Sequence, residues 1–413
     1  MRRKRISSKA LIPKPIALVS ATMMLLMISI FGNLPHVQGF TPNDPVGNPW
    51  HLDAINIHSV WDHGYSFYSP ESIGLCVIGE EIINDQNGDL EMTEKASFAW
   101  NSDYSAYLTY PSFSTGSHGA AVASVAASTI NNSIGVAGIV NAPLYSAWPW
   151  GNYPDDDTEM YNIYVQQMID IFDWGSSFGR IVFTMSFINT VYDLDYDDPT
   201  LVELQDKVTE LYESGDALFF AAAGNTLFPL HPKDVPQSLP FVRVIGRIDS
   251  SGSYNDGGYG EQVFLVAPFG VPAYMQATNT YGAFGGASCS CPIVAASAVL
   301  LWNQFPWASN AQIEDALCWG ATDILESGWD EKSGYGALNV EKAREYLAEN
   351  VPSANSYRLN WTTMSETTPS DGSNTSASSS AEISPTIYVS LSIPIIASII
   401  VLIVVTKKKR DLP

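Results

Sequence analysis

Five short, unbroken apolar runs punctuate the chain: "IGLCVIG" (residues 73–79), "RIVFTMSF" (180–187), "DALFFAAAGN" (216–225), "FVRVIGRI" (241–248) and "QVFLVAP" (262–268). Runs of this length without polar alternation suit strands covered on both faces. Between several of them the pattern changes to helical spacing: "HGAAVASVAASTI" from His118, "YNIYVQQMIDIFDWG" from Tyr161 and "PTLVELQDKVTELYESG" from Pro199. In the last, Val202, Leu204, Val208 and Leu211 are expected on one face, with the acids and Lys207 on the other. Strand, helix, strand in repetition predicts an α/β domain, a mostly parallel sheet with helices on both faces. Ligands of such sheets sit at the carboxyl ends of the strands. No repeat, linker or charge block interrupts residues 43–349, which are expected to form one domain.

Two apolar stretches lie outside this pattern. "MRRKR" followed by "IALVSATMMLLMISIFG" has the charged and apolar regions of a secretory signal, so residues 1–40 read as a signal peptide or signal anchor, with a cleavage point near Val37-Gln38-Gly39. "PTIYVSLSIPIIASIIVLIVVT" predicts a transmembrane helix at 386–406, about twenty uncharged residues being enough to cross the hydrocarbon core. Lys407 to Arg410 follow at once, which makes 407–413 a basic cytosolic tail and places the large domain outside the cell. Residues 350–384, rich in Ser and Thr, read as a polar stalk. The expectation is a single-pass protein of the cell membrane with an extracellular domain.

Composition narrows the partners. The chain has 413 residues, an apolar fraction of 46% and a formal charge of −23, with 43 acids against 20 bases. That balance repels phosphates and argues against nucleic acid. Four cysteines, Cys76, Cys289, Cys291 and Cys318, do not make a disulfide framework; they read as buried free thiols or as one bridge through Cys318. C-x-C alone lacks the second ligand pair of a metal site.

Candidate chemistry gathers at three places. "GGASCSCPIVAASAVLLW" (285–302) sets two serines and two cysteines ahead of a stripe of small apolar residues. Pro292 is tolerated in a first helical turn, which places Ser288 just ahead of a buried helix, as a nucleophile beside its positive end or as an N-cap. His118 stands at a strand-to-helix junction, where an imidazole can act as general base or be a structural histidine. Asn225 ends a buried strand, where its amide can donate to an oxyanion or stabilise a turn.

Together these blocks resemble the subtilisin-like serine proteases, the subtilases. "GASCSCPIVAASAVLL" is similar to the family's G-T-S-M-A-S-P-H-V-A-G, "HGAAVAS" to H-G-T-H-V-A-G, and "AAAGN" to the strand of the oxyanion asparagine. "NNSIGVAGIVNAPLYSAW" (131–148) and "GWDEKSGYGALNVEKA" (328–343) look like two further family blocks in the right order. The resemblance implies a subtilisin-like fold and a serine endopeptidase acting on peptides or proteins. It assigns Ser288 as nucleophile, His118 as base and Asn225 as oxyanion donor; attack by a cysteine is the alternative. No cofactor is required on this reading, and no metal ligand set is assigned. Calcium as a structural ion would fall in the acidic loops at Asp155 to Asp157 or "YDLDYDDP" (192–199), which also read as solvated surface.

The pattern breaks in three places. The family's catalytic aspartate follows its first strand as V-I-D, whereas this chain reads "CVIGEEIINDQNGDL" (76–90). Aligned without a gap, Gly79 takes that place; counted back from Asp89-Leu90, Glu80 does, with Glu81 and Asp85 as alternatives. In "TMSFIN" the substrate-binding residues are expected to be Ser186, Phe187 and Ile188, and Ile188 and Asn189 replace glycines where a branched side chain narrows the specificity pocket. The signal is followed almost directly by "NDPVGNPWHLDAINIHSVWD", which leaves no room for a folding pro-domain. These departures keep a second expectation open, a weak or inactive subtilase-like module that binds peptides or builds the cell surface.

Overall fold

The computed structural model describes residues 39–46, 49–79, 83, 88–100, 107–108, 116–151, 157–190 and 198–353, all within one compact unit. The signal segment to residue 38, the stalk beyond residue 353, the candidate span at 386–406 and the basic tail lie outside them. No helix among the described residues is long and apolar enough to cross a membrane.

The chain opens with α1 (Trp50–Ala54), α2 (His58–Trp61), β1 (Gly74–Ile78), β2 (Met92–Trp100) and β3 (Tyr107–Leu108). Then come α3 (His118–Ala127), β4 (Leu144–Gly151), α4 (Asp157–Ser176), β5 (Ile181–Met185), β6 (Asn189–Thr190) and α5 (Pro199–Glu213). Strands β7 (Ala217–Ala222), β8 (Asp234–Val235), β9 (Val242–Ile248), β10 (Val263–Pro268), β11 (Val271–Met275) and β12 (Thr280–Phe284) follow, and α6 (Ala287–Gln304), α7 (Asn310–Gly320) and α8 (Val340–Asn350) close the domain. Eight strands form one sheet in the order β10-β9-β7-β5-β1-β4-β2-β3, parallel throughout except for β3 against β2.

The five apolar runs are β1, β5, β7, β9 and β10, and burial on both faces explains their unbroken character. Side chains alternate across a strand. Leu75 and Val77 of β1 enter the core made with α3 and α6, while Cys76 and Ile78 enter the one made with α4 and α5. Helix α6 is buried on every side from Ala287 to Trp302 and packs under β1, β5, β7, β9 and β10, as expected of a helix with no polar face.

Three expectations need correction. In α5 the buried positions are Leu201, Leu204 and Val208, while Val202 is 36% exposed. Residue 201, not 202, completes the i, i+3, i+7 row with 204 and 208, and one step along a helix rotates a side chain by about 100°. Helix α4 begins at Asp157, ahead of the apolar stripe that starts at Tyr161. Pro292 is the sixth residue of α6 rather than part of its first turn, so Ser288 lies inside the helix at its second position. Elements without an apolar run also form. Helix α7 starts from a capping box in which Ser309 Oγ accepts from the Gln312 N–H at 3.2 Å and Gln312 Oε1 from the Ser309 N–H at 2.9 Å.

Candidate functional site

Parallel strands end together. In the register of the sheet Ile78 of β1 lies opposite Met185 of β5, and Met185 opposite Ala221 of β7. The residues that follow, Gly79, Ser186 and the Gly224-Asn225 pair, therefore emerge along one edge. Gly79 continues the ladder, its N–H donating to the Ala147 carbonyl at 3.0 Å.

Helix α6 delivers Ser288 to that edge. Gly286, its N-cap, has φ +78°, and a Cβ there would run into the Asn225 side chain, so the approach requires glycine. The close contact lets Asn225 Oδ1 accept from the Ala287 N–H at 2.8 Å. Arg247 Nη1 donates to the same oxygen at 3.4 Å. Two donors on one oxygen fix the orientation of the amide. Asn225 is an exposed residue, and its Nδ2 makes no hydrogen bond to a described residue.

Ser288 is 9% exposed, and it exchanges hydrogen bonds with Ser186. Its Oγ donates to the Ser186 carbonyl at 3.2 Å, and Ser186 Oγ donates to the Ser288 carbonyl at 3.0 Å. Pro292 explains the second bond. It has no N–H to give to the carbonyl four residues back, which is that of Ser288, and the Ser186 hydroxyl takes the vacant position. The neighbouring nucleophiles are disposed of by burial. Ser290 is fully buried and donates to the Ala267 and Pro268 carbonyls at 2.9 and 3.0 Å. Cys289 and Cys291 are fully buried, and loss of solvation pushes both thiols up to about 12, so neither is a thiolate at neutral pH. All four cysteines are free, and Cys318 is only partly buried.

His118 is the first residue of α3. That helix is clamped to β11 and the turn after it: Ser124 Oγ accepts from the Tyr274 N–H at 2.9 Å and Ser117 Oγ from the Ala277 N–H at 2.9 Å. The imidazole meets the Phe284 ring edge-on at 5.6 Å, and Phe284 ends the strand that leads into Gly285 and α6. His118 is thereby brought to the approach of Ser288, but no hydrogen bond joins the two. His118 Nδ1 is buried and has no hydrogen-bond partner among the described residues. Glu80, Glu81 and Asp85 lie outside that set. Asp89 is buried and engaged elsewhere, accepting from Asn132 Nδ2, the Val136 N–H and the Tyr281 hydroxyl at 3.0, 3.2 and 2.8 Å.

Of the expected substrate-binding residues, Ser186 is the one bonded to Ser288. Phe187 packs edge-on against Tyr164 at 6.3 Å. Ile188 reaches across to Gly224, its Cδ1 only 2.9 Å from where a Cβ on that glycine would stand. The side chain thus occupies space at the mouth between the ends of β5 and β7. Sequence reasoning missed two residues here. Gln237, 1% exposed, donates through Nε2 to the Phe187 and Ala222 carbonyls at 2.8 Å each and ties these strand ends together. Arg247 is visible in the sequence only as a cation inside an apolar run. As for calcium, the side chains of Asp155 to Asp157 and of residues 191–197 lie outside the described set, and the described residues contain no group of three or more His, Cys, Asp or Glu able to hold a metal ion.

Comparison with known proteins identifies the family. The model of the subtilase family matches residues 59–336. Subtilisin NAT of Bacillus subtilis subsp. natto is 28% identical over 303 residues, 72% of this chain and 71% of its own. A subtilisin of Bacillus pumilus is 27% identical over 305 residues, 72% of this chain and 98% of its own. The halolysin-like extracellular serine protease Nep of Natrialba magadii is 24% identical over 308 residues, 73% of this chain and 52% of its own.

Proposed function

This chain belongs to the subtilase family, and from that premise we propose that it is a serine endopeptidase working outside the cell, anchored by a single C-terminal span. What supports the reading is the adjacency of Ser288 and Asn225, held by the Ala287 N–H and the Ser186 carbonyl, with the His118 ring against Phe284 just ahead of the same helix. For attack, the Ser288 hydroxyl turns from the Ser186 carbonyl to His118. As Oγ bonds to the substrate carbonyl carbon, its proton passes to the imidazole and the carbonyl electrons move onto oxygen. Asn225 Nδ2 and the Ser288 N–H stabilise that charge. The carbon–nitrogen bond then breaks, His118 returns the proton to the leaving amine, and water releases the acyl group by the same route. A carboxylate opposite His118 Nδ1 would hold the imidazole in the productive tautomer, and Glu80 is assigned that role. The charged and apolar pattern at residues 1–40 and 386–410 supports secretion and anchoring.

One observation favours the second reading, a weak or inactive binding module: the Ser288 hydroxyl is committed to Ser186. A fluorophosphonate probe separates the two. Labelling at Ser288 that disappears in His118→Ala establishes the enzyme; a wild-type protein that stays unlabelled establishes the module.

A further inference from the structure

We propose that Arg247 is a positioning residue for the oxyanion amide, holding and polarising Asn225 so that its hydrogens face the forming charge. The proposal rests on the serine-protease reading above. Strand β9 carries two arginines with different surroundings. Arg243 is neutralised by Glu314, with hydrogen bonds of 2.8 and 2.7 Å. Arg247 makes no salt bridge among the described residues; its guanidinium donates to Asn225 Oδ1 at 3.4 Å, to the Asn225 carbonyl at 3.2 Å and to the Asp256 carbonyl at 2.5 Å. The Phe269 ring lies against it with the guanidinium carbon 4.9 Å from the centroid. Its Nε is buried without a partner among the described residues.

These contacts give the residue a consequence beyond packing. Were the Asn225 amide to flip, its NH2 group would face both the Ala287 N–H and the guanidinium, donor against donor. Arg247 therefore opposes the one rotation that would remove the oxyanion donor. Hydrogen bonds accepted at an amide oxygen also strengthen donation from its nitrogen. No described carboxylate makes a direct ion pair with Arg247, although the Asp256 charge acts on it, and, unlike lysine, arginine does not lose its charge on burial. Its charge consequently acts through the Asn225 amide, which it orients and polarises where negative charge develops.

The test is a kinetic cycle on the full chain with a peptide ester or amide substrate, comparing Arg247→Ala and Arg247→Lys in the native and Asn225→Ala backgrounds, with thermal melts of each. Arg247→Ala is expected to lower kcat about tenfold with KM within about twofold, less than direct loss of an oxyanion donor. Arg247→Lys is expected to recover part of that loss, since it keeps the charge but not the fork. In the Asn225→Ala background the effect of Arg247→Ala should shrink below about twofold. A loss that persists undiminished in that background, appears in KM alone, or tracks the melting temperature equally for alanine and lysine overturns the proposal. So does an unaffected kcat in a wild-type protein that labels with fluorophosphonate. A wild type that neither labels nor turns over overturns the serine-protease reading and this proposal with it.

Discussion

The proposed oxyanion side of the site and the proposed proton-transfer side are built by different means. Around Asn225 and Ser288, positions are set by backbone groups and short local contacts: the Ala287 N–H, the Ser186 carbonyl and hydroxyl, and a glycine whose conformation admits no side chain. Around His118, the helix is clamped by Ser117 and Ser124, but the ring itself has an aromatic edge and a buried nitrogen with no partner among the described residues. Electrostatic stabilisation of a transition state needs preorganised dipoles, and the oxyanion half has them. Orienting an imidazole needs a carboxylate at one nitrogen, which the proposed function takes from the segment after β1, where "GEE" aligns with the family's aspartate.

Replacing that carboxylate is the strongest way to break the contrast. If Glu80 orients His118, Glu80→Gln should lower kcat/KM by on the order of 10⁴-fold while leaving labelling at Ser288 detectable over long incubation. The parallel substitutions Glu81→Gln and Asp85→Asn should change it less than about threefold, since neither carboxylate then acts on the imidazole. A neutral outcome for all three would mean that the proton-transfer half works without an acid. The preorganised half is tested by Asn225→Ala, which should lower kcat by about 10² to 10³-fold with KM little changed. Steady-state kinetics on one ester substrate reads both effects.

Legibility in the sequence follows the same divide. The five apolar strands are readable to within a few residues because both faces of each are buried, which leaves no polar position to blur the run. Ser288, His118 and Asn225 stand out as candidates because glycines and small residues surround each, as close backbone approach demands. Val202 is misplaced by one position since residues 201 and 202 are both apolar and only packing chooses between them. The start of α6 is misjudged because Pro292 reads as a first-turn residue; its tolerance inside the helix depends on the Ser186 hydroxyl, 106 positions upstream of the proline. Arg247 escapes notice for a related reason: its partners Asn225, Asp256 and Phe269 come together only in the fold.

A second histidine sharpens the reading of His118. His51 also has a buried Nδ1 with no described partner, but it is 4% exposed in α1, and burial followed by repulsion from His58 lowers its pKa to about 3. In the unfolded chain an imidazole titrates near 6.5. Between these values the unfolded state binds the extra proton, so stability falls as pH drops from about 6.5 toward 3, and this contribution is flat above that range. From about pH 6.5 to about pH 4.5, His51 should cost about 2 kcal/mol of unfolding free energy. Urea melts of wild type and His51→Gln should differ by about that amount in the stability each loses between the two pH values. Equal losses would show that His51 can be solvated on protonation, and an orphan nitrogen would then say little about His118 either.

The smallest effect probes how the oxyanion half is held. Ser186→Ala removes the donor to the Ser288 carbonyl but keeps the Ser186 carbonyl that receives the Ser288 hydroxyl. A buried acceptor left unpaired costs about 1 to 3 kcal/mol, so the variant should be destabilised by that amount in denaturant melts. Pro292→Ala restores the N–H that a regular helix would give to the same carbonyl. In that background Ser186→Ala should cost less than about 0.5 kcal/mol, because the acceptor now has a helical donor. Additivity of the two substitutions would mean that the Ser186 hydroxyl does not stand in for the missing amide. The pinning of Ser288 would then rest on Gly286, the Ala287 N–H and the Ser186 carbonyl without the hydroxyl, and the two halves of the site would differ less in construction than their hydrogen bonds suggest.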